Sequence, residues 1–208
     1  MSQAGKFISL EGGEGVGKST QLRALAAALA ERGIDCLTTR EPGGSEVAEA
    51  IRALLLGGDA DRWSIRSEAL LFAAARADHV EKTIRPALEQ GRWVICDRFI
   101  DSSLAYQGEA GSLGIEAVRT INMFAIGDCL PDRTILLSLT GGDERAQARD
   151  GGASDRIGGR DADYHASVAI GFLKRLCDDP DRIHIVDASG PPHEVTTRVL
   201  RELQDLLP

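Results

Sequence analysis

Five stretches of the chain are nearly continuous in Val, Ile, Leu or Cys: Lys6–Glu11, Ile34–Arg40, Arg92–Asp97, Arg133–Leu139 and Arg182–Asp187. Such runs predict strands covered on both faces. Between them apolar residues recur every three or four positions, the period of a helix with one buried side. Leu22, Leu25, Ala26 and Leu29 share a face, and Gly33 supplies a stop. Ser45 is placed to cap a helix carrying Val47, Ile51, Leu54 and Leu55. Ser67 is placed to cap a longer one through Leu70, Leu71 and Ala74, which Pro86 should kink or split. Ile115–Ala125 and Val168–Leu176 are helical stretches, and Pro191 and Pro192 open a last helix with Val195, Val199, Leu203 and Leu206 turned inward. Strand and helix in alternation predict an α/β fold, a parallel sheet with helices on both faces. At 208 residues, with no internal repeat or low-complexity linker, the chain reads as one domain, or one domain with an insertion.

The first strand runs into Gly12–Ser19, Gly-Gly-Glu-Gly-Val-Gly-Lys-Ser, and Thr20 continues into the first helix. This satisfies G-x-x-x-x-G-K-[ST] at every fixed position, between the strand and helix that the motif requires. Backbone N–H groups of Gly12, Gly13, Glu14, Gly15, Val16 and Gly17 can turn toward phosphate oxygens, and the helix N-terminus adds its positive dipole end. Lys18 would reach the β- and γ-phosphates, and the Ser19 hydroxyl would ligate Mg²⁺. The chain is expected to bind a nucleoside triphosphate.

Composition narrows the partners. The net charge of −8 argues against a nucleic-acid surface, so anionic substrates must be met by locally placed arginines. The apolar runs fall well short of a membrane span, and the first strand begins too early to leave room for a signal peptide. Cys36, Cys96, Cys129 and Cys177 form no C-x-x-C pair and read as thiols of a reducing cytoplasm. His79, His165, His184 and His193 share no metal-ligand spacing with them.

Phosphoryl transfer needs charge neutralisation more than covalent chemistry. The glycine loop contributes an acid, Glu14, and no arginine, which leaves the site short of positive charge. Gly141–Arg160 holds six glycines and four arginines, at 145, 149, 156 and 160. Pattern alone reads it equally as a solvated surface hairpin or as a lid. The missing charge favours the lid, with Arg149 and Arg156 as candidates. Asp97-Arg98 ends the third strand, where ligands of open α/β sheets bind. There a carboxylate can hold hydrated Mg²⁺ and a guanidinium can hold an acceptor phosphate, unless the two form a structural ion pair. Arg40-Glu41-Pro42-Gly43-Gly44 closes the second strand toward the same crevice. Phe72 and Arg76 lie four apart on one helical face and could stack on a base and bond its edge. By themselves they read first as core packing, with Phe72 buried and Arg76 exposed. Tyr106 and Gln107 offer a ring and an amide.

Thr39-Arg-Glu-Pro-Gly-Gly44, Leu70-Leu-Phe-Ala-Ala-Ala-Arg76 and Asp97-Arg-Phe-Ile-Asp-Ser-Ser-Leu-Ala-Tyr-Gln-Gly108 follow the glycine loop and precede Ser154-Asp-Arg-Ile157. In that order they resemble the thymidylate kinases, above all the bacterial kind whose lid supplies the arginine that the loop lacks. The resemblance spans essentially the whole chain. It implies a P-loop nucleoside monophosphate kinase fold with a five-stranded parallel sheet and a short lid at about residues 141–160. It also implies a cytoplasmic homodimer that phosphorylates dTMP with ATP and Mg²⁺. Phe72 would stack on thymine and Arg76 would bond its edge. Arg98 would hold the acceptor phosphate with Asp97 near the magnesium. Glu41 and Pro42 would border the dTMP site, and Ser102, Tyr106 and Gln107 would line it, the tyrosine crowding the sugar's 2′ position. Glu14 would meet the 3′-hydroxyl, and Arg149 and Arg156 would be the lid arginines. The chain departs from the family's habits at Gly158, Ser138 and Ala169, where an acid, an aspartate and an arginine are common.

Other readings are a kinase for a different nucleotide or nucleoside, a GTP-binding switch and a nucleic-acid-driven ATPase. The switch lacks an Asn-Lys-x-Asp motif, and its Asp-x-x-Gly matches, Asp155–Gly158 and Asp187–Gly190, come too late in the chain. The ATPase lacks a basic stripe.

Overall fold

The five strands form where the aliphatic runs lie. In a computed structural model that describes residues 5–59, 61–139 and 156–208, they are β1 (Phe7–Glu11), β2 (Cys36–Arg40), β3 (Trp93–Asp97), β4 (Arg133–Ser138) and β5 (Ile183–Asp187). All pair in parallel, in the order β2-β3-β1-β4-β5. Among the described residues the helices are α1 (Lys18–Ala30), α2 (Glu46–Leu56), α3 (Ile65–His79), α4 (Arg85–Glu89), α5 (Ile100–Ser103), α6 (Ile115–Ile126), α7 (Ala162–Asp178) and α8 (Pro192–Arg201). Two π-helical stretches, Val80–Ile84 and Leu104–Ala110, link α3 to α4 and continue α5. Most of the lid predicted at about 141–160, with Arg145 and Arg149, lies outside the described residues.

The sheet separates two cores. On one face Ile8, Leu10, Ile95, Ile135 and Leu137 meet Leu25 and Leu29 of α1 and Val195 and Val199 of α8. On the other, Phe7, Val94 and Cys96 meet Phe99, Ile100, Leu104, Val118 and Ile126. Leu25 and Leu29 are fully buried, each contributing roughly 1.5–3 kcal/mol. The central strand β1 is buried at all five positions. Its neighbours set the crevice: Leu10 stands opposite Asp97 of β3 and Ile135 of β4.

Two expectations are corrected. The edge strands β2 and β5 are not covered on both faces: no residue of β2 is buried and Ile185 is exposed, because each has a neighbour on one side only. Helix α3 is capped by Ser64 rather than Ser67; the Ser64 hydroxyl accepts from Ser67 N at 3.1 Å, so the later serine lies inside the first turn. The long helix is divided before Pro86, as the proline predicts: the π-helical Val80–Ile84 separates α3 from α4, which carries Pro86 in its first turn.

Candidate active site

The glycine loop is held against the sheet by close approach. A Cβ on Gly12 would lie 2.4 Å from the Leu137 carbonyl oxygen of β4, so a side chain there would push the loop off the sheet. Gly17, at φ 96°, turns the chain into α1. Val16 packs its side chain into the core, which leaves only its backbone for a ligand. Lys18 is buried and donates to Gly12 O at 3.1 Å and Gly13 O at 2.6 Å, across the mouth of the loop. Burial, then the nearby charge of Arg98, pulls its ammonium down to about 8. Ser19 Oγ donates to Asp97 Oδ2 at 3.0 Å, which joins the loop to the end of β3.

Arg98 occupies a left-handed backbone conformation, φ 70°, unusual for a residue with a side chain. Two bonds hold the turn: Arg98 N donates to Leu10 O at 2.9 Å and Phe99 N to Glu11 Oε1 at 2.7 Å. The guanidinium donates to Gly12 O at 3.2 Å, Ser102 Oγ at 3.1 Å and Glu14 Oε1 at 2.6 Å, and lies 5.0 Å from the Tyr106 ring centroid. Tyr106 also donates to Glu14 Oε1, at 3.1 Å. Burial pushes the Glu14 carboxyl up, but the charges of Arg98 and Lys18 outweigh it and hold it below its usual range. Beneath this turn Glu11 is fully buried and accepts from Ser102 Oγ at 2.5 Å. Burial and the charge of Asp101 raise it to about 7.

At the other end Arg76 is 2% exposed and Phe72 is only half-buried, the reverse of the packing reading. The reversal has a cause: Arg76 Nε donates to Glu41 Oε2 at 2.6 Å, its other nitrogens donate to Ser103 Oγ, Asn122 Oδ1 and Phe99 O, and Glu41 also holds His79 Nδ1 at 3.0 Å. A buried cation is tolerable when most of its N–H donors are so bonded, and the described residues leave one Nη2 hydrogen over. Gln107 Nε2 donates to Glu68 Oε1 at 2.9 Å, and Tyr106 is wedged edge-on against Phe172 and Tyr164.

Both ends open into one cavity of about 540 Å³ at the carboxyl ends of β1, β2 and β3, in the size range of small-molecule sites. Its charged lining is five cations, Lys18, Arg40, Arg52, Arg76 and Arg98, against three acids, Glu14, Glu41 and Asp97. Despite its net charge of −8, the molecule therefore presents a locally cationic site.

A family profile described as Thymidylate kinase matches residues 10–199. The chain is 58% identical over 206 residues to the thymidylate kinase of Rhizorhabdus wittichii, covering 98% of this chain and 99% of the relative. It is 43% identical over 206 residues to that of Bacillus pumilus, covering 98% and 97%. The crystal structure of thymidylate kinase from Ehrlichia chaffeensis superimposes with a TM-score of 0.81 at 32% identity, over 97% of this chain and 100% of that one. The chain belongs to the thymidylate kinase family.

In this member of the thymidylate kinases the cavity gathers most of the residues named from the sequence. Glu14, Gly15, Gly17, Lys18, Ser19 and Thr20 line it on the loop side, and Glu41, Pro42, Phe72, Arg76, Asp97, Arg98, Ser102, Tyr106 and Gln107 line the rest. Gly12, Gly13 and Val16 are not among the lining residues, and neither is Arg156. Arg156 is buried, with Nη2 on Glu68 Oε2 at 2.5 Å and Nε on Leu55 O at 2.9 Å, so these two nitrogens face Glu68 and Leu55 rather than the cavity. Arg40 lines it as well, as the crevice reading of Arg40–Gly44 expects, whereas sequence reasoning missed Arg52 and Ser103 in the lining and the buried acids Glu11 and Glu68 behind it. Glu11, at the last position of a strand, and Glu68, in the first turn of α3, carried signals only of a strand end and a helix start.

Ser19 and Asp97 supply hard oxygen donors side by side. That pair suits Mg²⁺, which takes one or two protein ligands and keeps water and phosphate for the rest. Among the described residues no cluster of three His, Cys, Asp or Glu could cage a metal, and no helix is long and apolar enough to cross a membrane.

Proposed function

We infer a division of labour within one cavity for the reaction of this family, ATP plus dTMP giving ADP plus dTDP on the way to dTTP. One observation carries the reading: the loop residues Lys18 and Ser19 share a cavity with Arg98 and with the aromatic, guanidinium and amide groups of Phe72, Arg76, Tyr106 and Gln107. The triphosphate lies in the loop, with Lys18 exchanging its bonds to Gly12 O and Gly13 O for phosphate oxygens. Ser19 and Asp97 hold Mg²⁺, which when bound offsets the charge of the triphosphate. Arg98 clamps the acceptor phosphate in place of its weaker carbonyl and hydroxyl partners. An oxygen of that phosphate is already anionic at neutral pH, so in-line attack on the γ-phosphorus needs no general base. Glu14 meets the 3′-hydroxyl, Tyr106 crowds the 2′ position, Phe72 stacks on the base, and Arg76 and Gln107 read its edge. Arg149 supplies the lid cation, while Arg156 acts by position through Glu68.

We also assign a cytoplasmic homodimer folded as a single domain over residues 1–208. The four cysteines are free thiols, which suits a reducing compartment. Val47 and Leu54 of α2, Leu70 of α3 and Phe124 of α6 are exposed on helices that pack side by side, a face suited to a second copy. Sedimentation of wild type and Phe124→Glu tests this assignment, and a wild-type monomer removes it. The reaction is tested by initial rates with dTMP, dUMP, dCMP and dGMP as acceptors. dTMP is expected to lead, and parity with dCMP would remove the thymine assignment.

A further inference from the structure

Behind the acceptor end lies a carboxylate that the reading of the base has not yet used. Glu68, fully buried on α3, accepts Arg156 Nη2 at 2.5 Å and Arg160 Nη2 at 2.6 Å on Oε2, and Gln107 Nε2 at 2.9 Å on Oε1. A carboxylate facing two guanidiniums offers only lone pairs. The amide of Gln107 has two ends of opposite polarity, and only its NH₂ end can face such a group; turned over, its carbonyl oxygen would meet another oxygen. Gln107 is 1% exposed, lines the cavity, and receives no hydrogen bond on its side-chain oxygen from any described residue. That oxygen is the end left for a ligand.

We propose that Glu68 is a specificity-determining positioning residue, which locks the Gln107 amide with its oxygen toward the base and so selects a pyrimidine whose ring nitrogen carries a hydrogen. The proposal rests on the assignment of Gln107 to the base edge. Thymine presents an N3–H donor beside a C4 carbonyl. Cytosine presents a bare N3 beside an amine. An oxygen fixed by Glu68 accepts the first and repels the second, and Arg76, which can only donate, prefers the carbonyl to the amine. Uracil has the thymine pattern at these atoms, so the lock discriminates against cytosine and not against uracil.

The test is the ratio of kcat/KM for dTMP to that for dCMP. Glu68→Gln replaces a pure acceptor with an amide that can face Gln107 with either end, freeing Gln107 to turn over. The ratio should fall roughly tenfold or more, mainly through KM. A carboxylate that merely braces the fold would lower both acceptors together, so an unchanged ratio overturns the proposal. Glu68→Asp still only accepts and should keep more of the ratio than Glu68→Gln; the opposite order also overturns it. Should Glu68→Gln fail to fold for want of a counter-charge, Glu68→Gln with Arg156→Gln removes one cation with it and is read the same way. Gln107→Leu separates the two layers. If it leaves the ratio intact, Gln107 does not read the base; if it collapses the ratio while Glu68→Gln does not, only the role of Glu68 is lost.

Discussion

Cations at and behind the two ends of the cavity keep different company. At the base end Arg76 and Arg156 are buried and bonded to the carboxylates of Glu41 and Glu68, with neighbouring oxygens taking further donors. At the phosphate end Lys18 leans on two carbonyls, and Arg98 divides its donors among a carbonyl, a hydroxyl and a half-exposed carboxylate. A buried pair cannot be opened without stranding a charge, whereas carbonyl and hydroxyl partners yield readily to phosphate oxygens. The contrast separates a fixed template for a base from cations ready to exchange partners as charge moves.

Four substitutions probe that contrast. The largest effect belongs to the moving charge: Arg149→Ala should lower kcat by about 10²–10³-fold with little change in the dTMP KM, as for a contact made in the transition state. Steady-state kinetics decides it, and an intact kcat removes Arg149 from the mechanism. Arg156→Ala should do the opposite. Breaking its buried pair should cost about 3–5 kcal/mol of stability in urea titrations, with kcat falling far less than in Arg149→Ala. A stable protein with a collapsed kcat would return Arg156 to the phosphates. Phe72→Ala should weaken dTMP binding by about 1–3 kcal/mol, measured by calorimetry, and retained affinity would end the stacking assignment.

The smallest effect concerns pH. Burial and Asp101 raise Glu11 from 4.5 to about 7, so across that window the folded chain keeps a proton that the unfolded chain has released. Stability contributed by this group is therefore greatest below the unfolded value and falls as pH rises toward 7. The urea midpoint should decline from pH ~5 to pH ~8, and less steeply in Glu11→Gln. Equal slopes would exclude Glu11 as the source.

Much of this was legible in the residues. Interior strands of a parallel sheet must be aliphatic throughout, and the glycine loop has fixed spacing, so β1, β3, β4 and the phosphate cradle could be read directly. The edge strands were over-read because aliphatic runs do not reveal which strand lacks a neighbour. Arg76 was misjudged because its counter-charge, Glu41, lies 35 positions away and reaches it only in the fold. The helical run Ile100–Ala110 begins without a side-chain cap and continues as a π-helix, which left no periodic mark to find. Glu68 was invisible for a similar reason, since its partners, Gln107 and the pair Arg156 and Arg160, lie 39, 88 and 92 positions away.

The turn at Arg98 has a consequence for how the protein can change over time. Its left-handed backbone would relax with glycine, which adopts φ 70° at no steric cost, so the replacement that eases the chain most also deletes the guanidinium. Selection for robustness alone would erode this position, and its arginine persists only while growth demands product. Libraries screened purely for heat tolerance should accordingly drift toward well-folded, inactive proteins, with this corner among the first to go.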